Sequence, residues 1–182
     1  LRQRFSSRRL AAHLARGGLV AYPTESCYGL GCDPHNRRAV QHLLRLKGRP
    51  QHKGLILIAG RYAQLKPYLQ PLTAQQQRAL HNAGGQAVTW LMPAACPRWL
   101  RGAHATLAVR ITAHPPAAAL CNALGMALVS TSANRSGDRP ARSYRDCLRR
   151  FGSEVLVLPG KVGRRRRPST IRDWASGRIL RN

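Results

Sequence analysis

The chain of 182 residues sets 31 Lys and Arg against 6 Asp and Glu, a formal charge of +25, and a field of that strength favours nucleotide or nucleic acid as a partner over a merely solvated basic surface. One domain with a real core is expected at this length, burying roughly two thirds of the unfolded surface. Cys27, Cys32, Cys96, Cys121 and Cys147 form no C-x-x-C pair, which speaks against a zinc knuckle or disulfide framework and for a reducing, cytoplasmic setting, and no run approaches the roughly 18 apolar residues of a membrane span.

In chain order, "SSRRLAAHLARGG" reads as an amphipathic helix with Ser6 or Ser7 as N-cap, Leu10 and Leu14 one turn apart and a Gly17-Gly18 stop. This opening stretch lacks the apolar block of a cleavable leader. "LVAY" is a short buried strand ending at Pro23, and the stretch after it, "PTESCYGLG", reads as a glycine-rich loop. "RAVQHLLRLKGR" puts Val40, Leu43, Leu44 and Lys47 on helical spacing, so that Lys47 ends a helix and Arg49 lies just past Gly48. Apolar runs of strand length follow at 54–60, 87–93, 106–112, 126–132 and 154–160, with shorter ones at 169–173 and 178–181. Helices are expected at 73–82, at 115–124 behind Pro115, and at 143–151 with Ser143 and Asp146 as a capping pair. The alternation predicts an α/β fold, a single domain over 1–182 with one twisted mixed sheet flanked by helices and covered on both faces. Its one compositional break is the basic loop "GKVGRRRRP" at 160–168.

Polar residues gather at the strand ends: Thr24, Glu25 and Ser26, then Thr106 and Arg110, then "STSAN" at 130–134 and "PST" at 168–170. Ligands of α/β sheets settle where such ends converge, so these edges are expected to line one cleft. Gly29-Leu30-Gly31 runs into Cys32, Asp33 and Pro34 without the third glycine of a dinucleotide fingerprint, and no G-x-x-x-x-G-K-[ST] occurs. In "LKGRP", Lys47 offers a point charge and Arg49 a bidentate fork to one phosphate chain, the alternative being a basic helix end facing solvent. Arg110 shares one face of "TLAVRIT" with Ala108 and Thr112, opposite Leu107, Val109 and Ile111. A mid-strand arginine that is buried needs a partner, and in a chain so poor in acids a ligand carboxylate or phosphate is expected to supply it, the alternative being an exposed sheet face. Cys27 has no histidine assignable as its base, and the histidines lack H-x-x-x-H spacing, so neither a thiol nucleophile nor a protein-held metal is expected.

"YPTESCYGLG", "LKGRP", "KGLILI", "TLAVRIT", "LVSTSANRSG" and "PSTIRD", in this order and over nearly the whole chain, resemble the YrdC-like family, in its short branch of TsaC-type threonylcarbamoyl-AMP synthases. The resemblance implies a twisted α/β sheet with a basic concave groove. It also implies an enzyme that makes threonylcarbamoyl-adenylate and pyrophosphate from L-threonine, bicarbonate and ATP, for threonylcarbamoyladenosine modification of tRNA. Threonine's amine and bicarbonate give a carbamate whose oxygen attacks the α-phosphate, chemistry that rests on positioning and charge rather than on a protein nucleophile. ATP enters as a substrate, with Mg2+ held mainly by its phosphates and water. Proteins that transfer the threonylcarbamoyl group to tRNA are the implied partners, with direct tRNA binding left open.

By the same resemblance Lys47 and Arg49 are the catalytic basic pair, and Lys47, Arg49, Thr106, Ser132, Asn134 and Arg181 match positions that contact ATP. Thr24, Ser26, Arg110, Ser130 and Ser169 match positions around threonine, with Arg110 suited to its carboxylate. Ser26 stands where many relatives carry threonine, a loss of one methyl, while Lys53 and Ile58 stand where longer relatives carry Asn and His, so those two contacts are not expected here. The arginine run Arg164 to Arg167 is read as a mobile lid whose charge draws ATP in, the alternatives being a tRNA patch and a solvated loop. Two further readings stay open: an RNA-binding module without adenylating activity, and a carbamoyl-adenylating module that uses carbamoyl phosphate.

Overall fold

The computed structural model describes residues 6–81 and 87–181. Helix α1 (Ser7–Ala15) leads into β1 (Val20–Pro23), which turns back as β2 (Tyr28–Gly31), and α2 (Arg37–Lys47) and β3 (Ile56–Ala59) follow. Next come α3 (Ala74–His81), β4 (Val88–Pro93), the one-turn α4 (Arg98–Arg101), β5 (Thr106–Ile111), α5 (Pro115–Leu124) and β6 (Leu128–Ser132). The chain closes with α6 (Tyr144–Phe151), β7 (Leu156–Val157), β8 (Thr170–Asp173) and β9 (Ile179–Arg181). Short 3-10 turns at Gln51–Lys53, Tyr62–Gln64 and Lys66–Tyr68 join α2 to α3 through β3. Position 82 of the expected third helix lies outside the described residues.

All these strands belong to one nine-stranded sheet in the order β7-β1-β2-β6-β3-β5-β4-β8-β9. It is mixed: β7 with β1, β3 with β5 and β4 with β8 run parallel, and the remaining neighbours run antiparallel. The alternation expected for β5 holds, since Leu107 and Val109 enter the larger core, beneath α2 and α6, with Leu30, Leu57 and Val129. On the opposite face, α1 and α5 cover only part of the sheet, packing Leu10, Leu14 and Ala117 against Val20, Tyr22, Ile58 and Leu128. Beyond that second core the same face is left open around Ala108 and Arg110, and this is where the cavity forms.

Local chemistry sets the helix ends that matter for the site. Asn36 Oδ1 accepts the Ala39 N–H at 3.0 Å and starts α2. Gly48, at φ 61°, ends it. The Gly48 and Arg49 amides donate back to the Arg45 and Leu44 carbonyls, each at 3.0 Å, a Schellman closure that reverses the chain and turns Arg49 back toward the sheet. Ser143 Oγ accepts the Asp146 N–H at 3.1 Å and starts α6 as the spacing predicts.

Two expectations are corrected. Tyr28 to Gly31 form a strand, not part of a loop, and the glycines are what allow it. A Cβ on Gly31 would run into the Val129 carbonyl oxygen on neighbouring β6. Gly31→Ala is therefore expected to separate β2 from β6 at a cost of about 1–3 kcal/mol, read as a lower thermal midpoint; an unchanged midpoint would contradict this close approach. The strand expected over 154–160 narrows to Leu156–Val157: its bonding to β1 ends at the Leu158 amide, which donates to the Ala21 carbonyl at 2.8 Å, and beyond it the single proton of the Tyr28 hydroxyl is shared between the carbonyls of Gly160 (2.9 Å) and Leu158 (3.1 Å).

Candidate active site

The cavity has a volume of about 620 Å³, within the range of sites that enclose a small ligand or nucleotide. Strand ends from across the sheet meet there. Thr24 and Ser26 follow β1, Gly29 lies in β2, and Thr106, Ala108 and Arg110 project from β5. Ser130 and Ser132 come from β6, while Ser169, Ile171 and Arg181 come from the β8–β9 edge. Arg49 and Lys53 enter from the turn after α2, and Arg101, Arg139, Arg142 and Arg166 complete a basic rim. No carboxylate lines it among the described residues.

Most of the residues selected from sequence thus converge: Thr24, Ser26, Arg49, Thr106, Arg110, Ser130, Ser132, Ser169 and Arg181 all line the cavity. Lys47 and Asn134 stand behind its wall. The Lys47 ammonium donates to the carbonyl oxygens of Ser132 (2.5 Å) and Asn134 (2.6 Å), so it clamps the end of β6. Burial first, and then the neighbouring Arg49 guanidinium, lower its pKa to about 8, against a smaller opposing pull from Cys27. Asn134 spends its side-chain amide on the Arg135 and Asp138 carbonyls at 2.8 and 3.0 Å. Lys53 reaches the cavity, whereas Ile58 is fully buried in the second core.

Arg49 anchors itself through Nε and Nη2 on the Gly54 carbonyl at 3.3 and 2.9 Å, leaving Nη1 without a protein partner among the described residues. Arg181 donates Nε and Nη2 to the Ser169 carbonyl at 3.1 and 2.9 Å. Burial, followed by Arg110 and Arg49, depresses its pKa. Arg181 thus sits partly desolvated beside two further positive charges, an arrangement that an anionic ligand relieves.

Where the sequence leads to a ligand anion as the partner of Arg110, the fold also supplies one from the protein, Glu25. Its Oε2 lies 3.3 Å from Arg110 Nη2, with both side chains about nine-tenths buried. The Thr112 hydroxyl holds the other oxygen at 2.7 Å. Burial is the largest influence on the Glu25 carboxyl and raises its pKa, but Arg110, Thr112 and the local backbone together outweigh it and leave the group below its ordinary value. Arg110 Nε still lacks a hydrogen-bond partner, so the guanidinium keeps a donor in reserve. Sequence spacing carries no sign of this pair, because the two residues meet only through the fold.

Cys27 lines the cavity, but burial pushes its thiol above the ordinary value, which suits an inert wall rather than a nucleophile. The arginine run, read from sequence as a lid, lies against the body of the protein in this conformation. The Gly163 and Arg165 amides donate to the Thr24 and Glu25 carbonyls at 2.8 and 3.1 Å, tying it to the loop after β1. Arg165 folds onto its own backbone through the Arg167 and Pro168 carbonyls, both at 3.1 Å. Arg166 alone of the four reaches the cavity, and Arg164 and Arg167 are exposed.

A threonylcarbamoyl-AMP synthase of Thiobacillus denitrificans is 54% identical over 174 residues, covering 94% of this chain and 93% of its own length. Another from Methylobacillus flagellatus is 53% identical over 177 residues, covering 96% and 98%. Among solved structures, P. abyssi Sua5 complexed with L-threonine superposes with a TM-score of 0.85 at 27% identity, over 96% of this chain and 53% of the Sua5 chain. The chain thus spans about half the length of that Sua5. E. coli YciO shares the fold, with a TM-score of 0.82 at 23% identity over 97% of this chain and 88% of its own. A family profile described as "Telomere recombination" matches residues 12–182, and the chain belongs to that family, Sua5/YciO/YrdC.

Proposed function

We propose that the chain is a threonylcarbamoyl-AMP synthase, a nucleotidyltransferase that joins L-threonine, bicarbonate and ATP into threonylcarbamoyl-adenylate with release of pyrophosphate. The observation that carries this reading is the meeting of Arg49, Arg110 and Arg181 with the hydroxyls of Ser26, Ser130 and Ser169 in one cavity that no carboxylate lines among the described residues. Near-full-length relatives that bear this name support it. The basic cavity is taken as the expected groove, in a single domain over 1–182.

In this account Arg110 and the hydroxyl set hold threonine, while Arg49, Thr106, Ser132 and Arg181 hold ATP. Lys47 and Asn134 act from behind by fixing the end of β6. The carbamate, formed from threonine's amine and bicarbonate with loss of water, attacks the α-phosphorus through an oxygen, and the bond to pyrophosphate breaks. The basic rim lowers the barrier by meeting charge that builds on phosphate oxygens. The lining residues do not by themselves make a magnesium site, so Mg2+ is assigned to the ATP phosphates and water, and no step is drawn through it. Downstream proteins that pass the threonylcarbamoyl group to tRNA are the proposed partners. No described helix is long and apolar enough to cross a membrane. We place the protein in the cytoplasm, a setting that its five free cysteines suit.

Threonine-dependent pyrophosphate release tests the reading. Serine should replace threonine better than valine does, since valine keeps the shape but leaves the site's hydroxyls without a partner. Equal turnover with valine would show that the hydroxyls do not read the side chain.

The arginine run separates ATP capture from tRNA contact. Arg166→Ser is expected to raise the Michaelis constant for ATP several-fold at low salt, because Arg166 faces the cavity. Exchanging the exposed Arg164 and Arg167 for serine should instead flatten the salt dependence of any tRNA binding, by about one unit of slope per lost phosphate contact. ATP kinetics unmoved by Arg166→Ser would remove that arginine from the site.

A further inference from the structure

Thr89 on β4 has no part in the account above. It is completely buried, and its hydroxyl meets one partner among the described residues, Ser169 Oγ at 2.9 Å. Ser169 Oγ is also met by Arg181 Nη2 at 3.1 Å. The register explains the meeting: Thr89 pairs with Ile171 on β8, and Ile171 pairs with Arg181 on β9, so side chains from neighbouring strands close over Ser169 just ahead of β8.

Counting protons fixes the directions. A serine hydroxyl offers one proton and two lone pairs, and a guanidinium can only donate. Arg181 therefore fills one lone pair. If Ser169 donated to Thr89, the Thr89 proton would be shut in the interior without an acceptor, a state that buried hydroxyls avoid. Thr89 must donate, which fills the second lone pair. Only the Ser169 proton is left, it has no other partner among the described residues, and Ser169 lines the cavity.

We propose that Thr89 is a positioning residue that compels Ser169 to present an O–H donor to the bound amino acid, so that this corner of the site accepts an oxygen with a free lone pair and rejects an N–H or C–H group. The proposal rests on the assignment of Ser169 to the threonine end of the cavity. It makes the selectivity of the site depend on a residue that touches no substrate.

The test is a double-mutant cycle with threonine as the varied substrate. Thr89→Val removes the donor and frees the Ser169 hydroxyl to rotate, and is expected to raise the Michaelis constant for threonine about tenfold. The turnover number and the Michaelis constant for ATP should move little. Thr89→Ser keeps the donor and should restore the constant, a readout that survives even if the valine variant folds poorly. In a Ser169→Ala background, Thr89→Val should cause no further loss. An equal tenfold loss in that background would overturn the proposal, because Thr89 would then act through the fold alone. If Ser169→Ala by itself leaves the threonine constant unchanged, the proposal also falls, while threonine-dependent pyrophosphate release would leave the enzymatic reading standing.

Discussion

Replacing Arg110 by alanine is expected to remove about 3–5 kcal/mol of stability, the usual cost of stranding one member of a buried ion pair, and to abolish productive threonine binding as well. Glu25 would keep the Thr112 hydroxyl at 2.7 Å but lose the guanidinium at 3.3 Å. In a chain of this length the loss corresponds to a fall in thermal midpoint on the order of 10 °C. The pH dependence carries a sign. With Arg110 in place the folded pKa of Glu25 is depressed, so the pair's contribution is present above the ordinary carboxylate value and is lost as pH falls through the folded one. Because that contribution is what the variant lacks, its deficit should shrink on acidification as Glu25 takes up a proton. Combining Arg110→Ala with Glu25→Ala should recover much of the stability and none of the threonine affinity. Recovery of both would mean that Arg110 serves only the fold.

Lys47→Ala is expected to slow adenylate formation at least tenfold, and Arg49→Ala likewise, since one lost charge-assisted contact in such a site costs about 2–4 kcal/mol. The routes differ. Arg49 faces the cavity directly, whereas Lys47 holds the Ser132 and Asn134 carbonyls and acts through the position of β6. Because burial and Arg49 lower the Lys47 pKa to about 8, kcat/KM for ATP should fall as pH rises through about 8 in the free enzyme, while kcat persists to higher pH once phosphate charge favours the ammonium. Stability should move the other way. An ammonium disfavoured in the folded state is a cost present below the folded pKa and relieved as pH rises toward the unfolded value of roughly 10.4. Lys47→Arg should extend the alkaline limit of kcat/KM, and a limb that stays in place would assign it to another group.

What the sequence reveals and what it hides divide along physical lines. The end of α2 is legible because helical spacing, a basic last turn and Gly48 are local signals, and they deliver Arg49 to the cavity. The two faces of β5 are legible for the same reason, since strand alternation alone separates Leu107 and Val109 from Ala108 and Arg110. Strand β2 is hidden because Gly29 and Gly31 look like turn residues until β6 supplies the carbonyl that leaves no room for a side chain at Gly31. The partnership of Glu25 with Arg110 and that of Thr89 with Ser169 are created by strand order and register, which no local pattern records. The one-turn α4 carries too few residues for any periodicity to show. The rim arginines Arg101, Arg139 and Arg142 are indistinguishable from solvated charge in so basic a chain, and only the fold brings them to the cavity.

If one cavity joins a threonine-derived carbamate to the α-phosphate of ATP, bicarbonate carbon must end up in an adenylate. The direct measurement supplies purified protein with ATP, carbon-labelled bicarbonate and L-threonine, separates the products, and asks whether label and adenylate travel together. A labelled threonylcarbamoyl-adenylate should form in step with pyrophosphate, be absent when threonine is omitted and not be restored by carbamoyl phosphate. Pyrophosphate without labelled adenylate, or an adenylate that forms without threonine, would contradict that reaction.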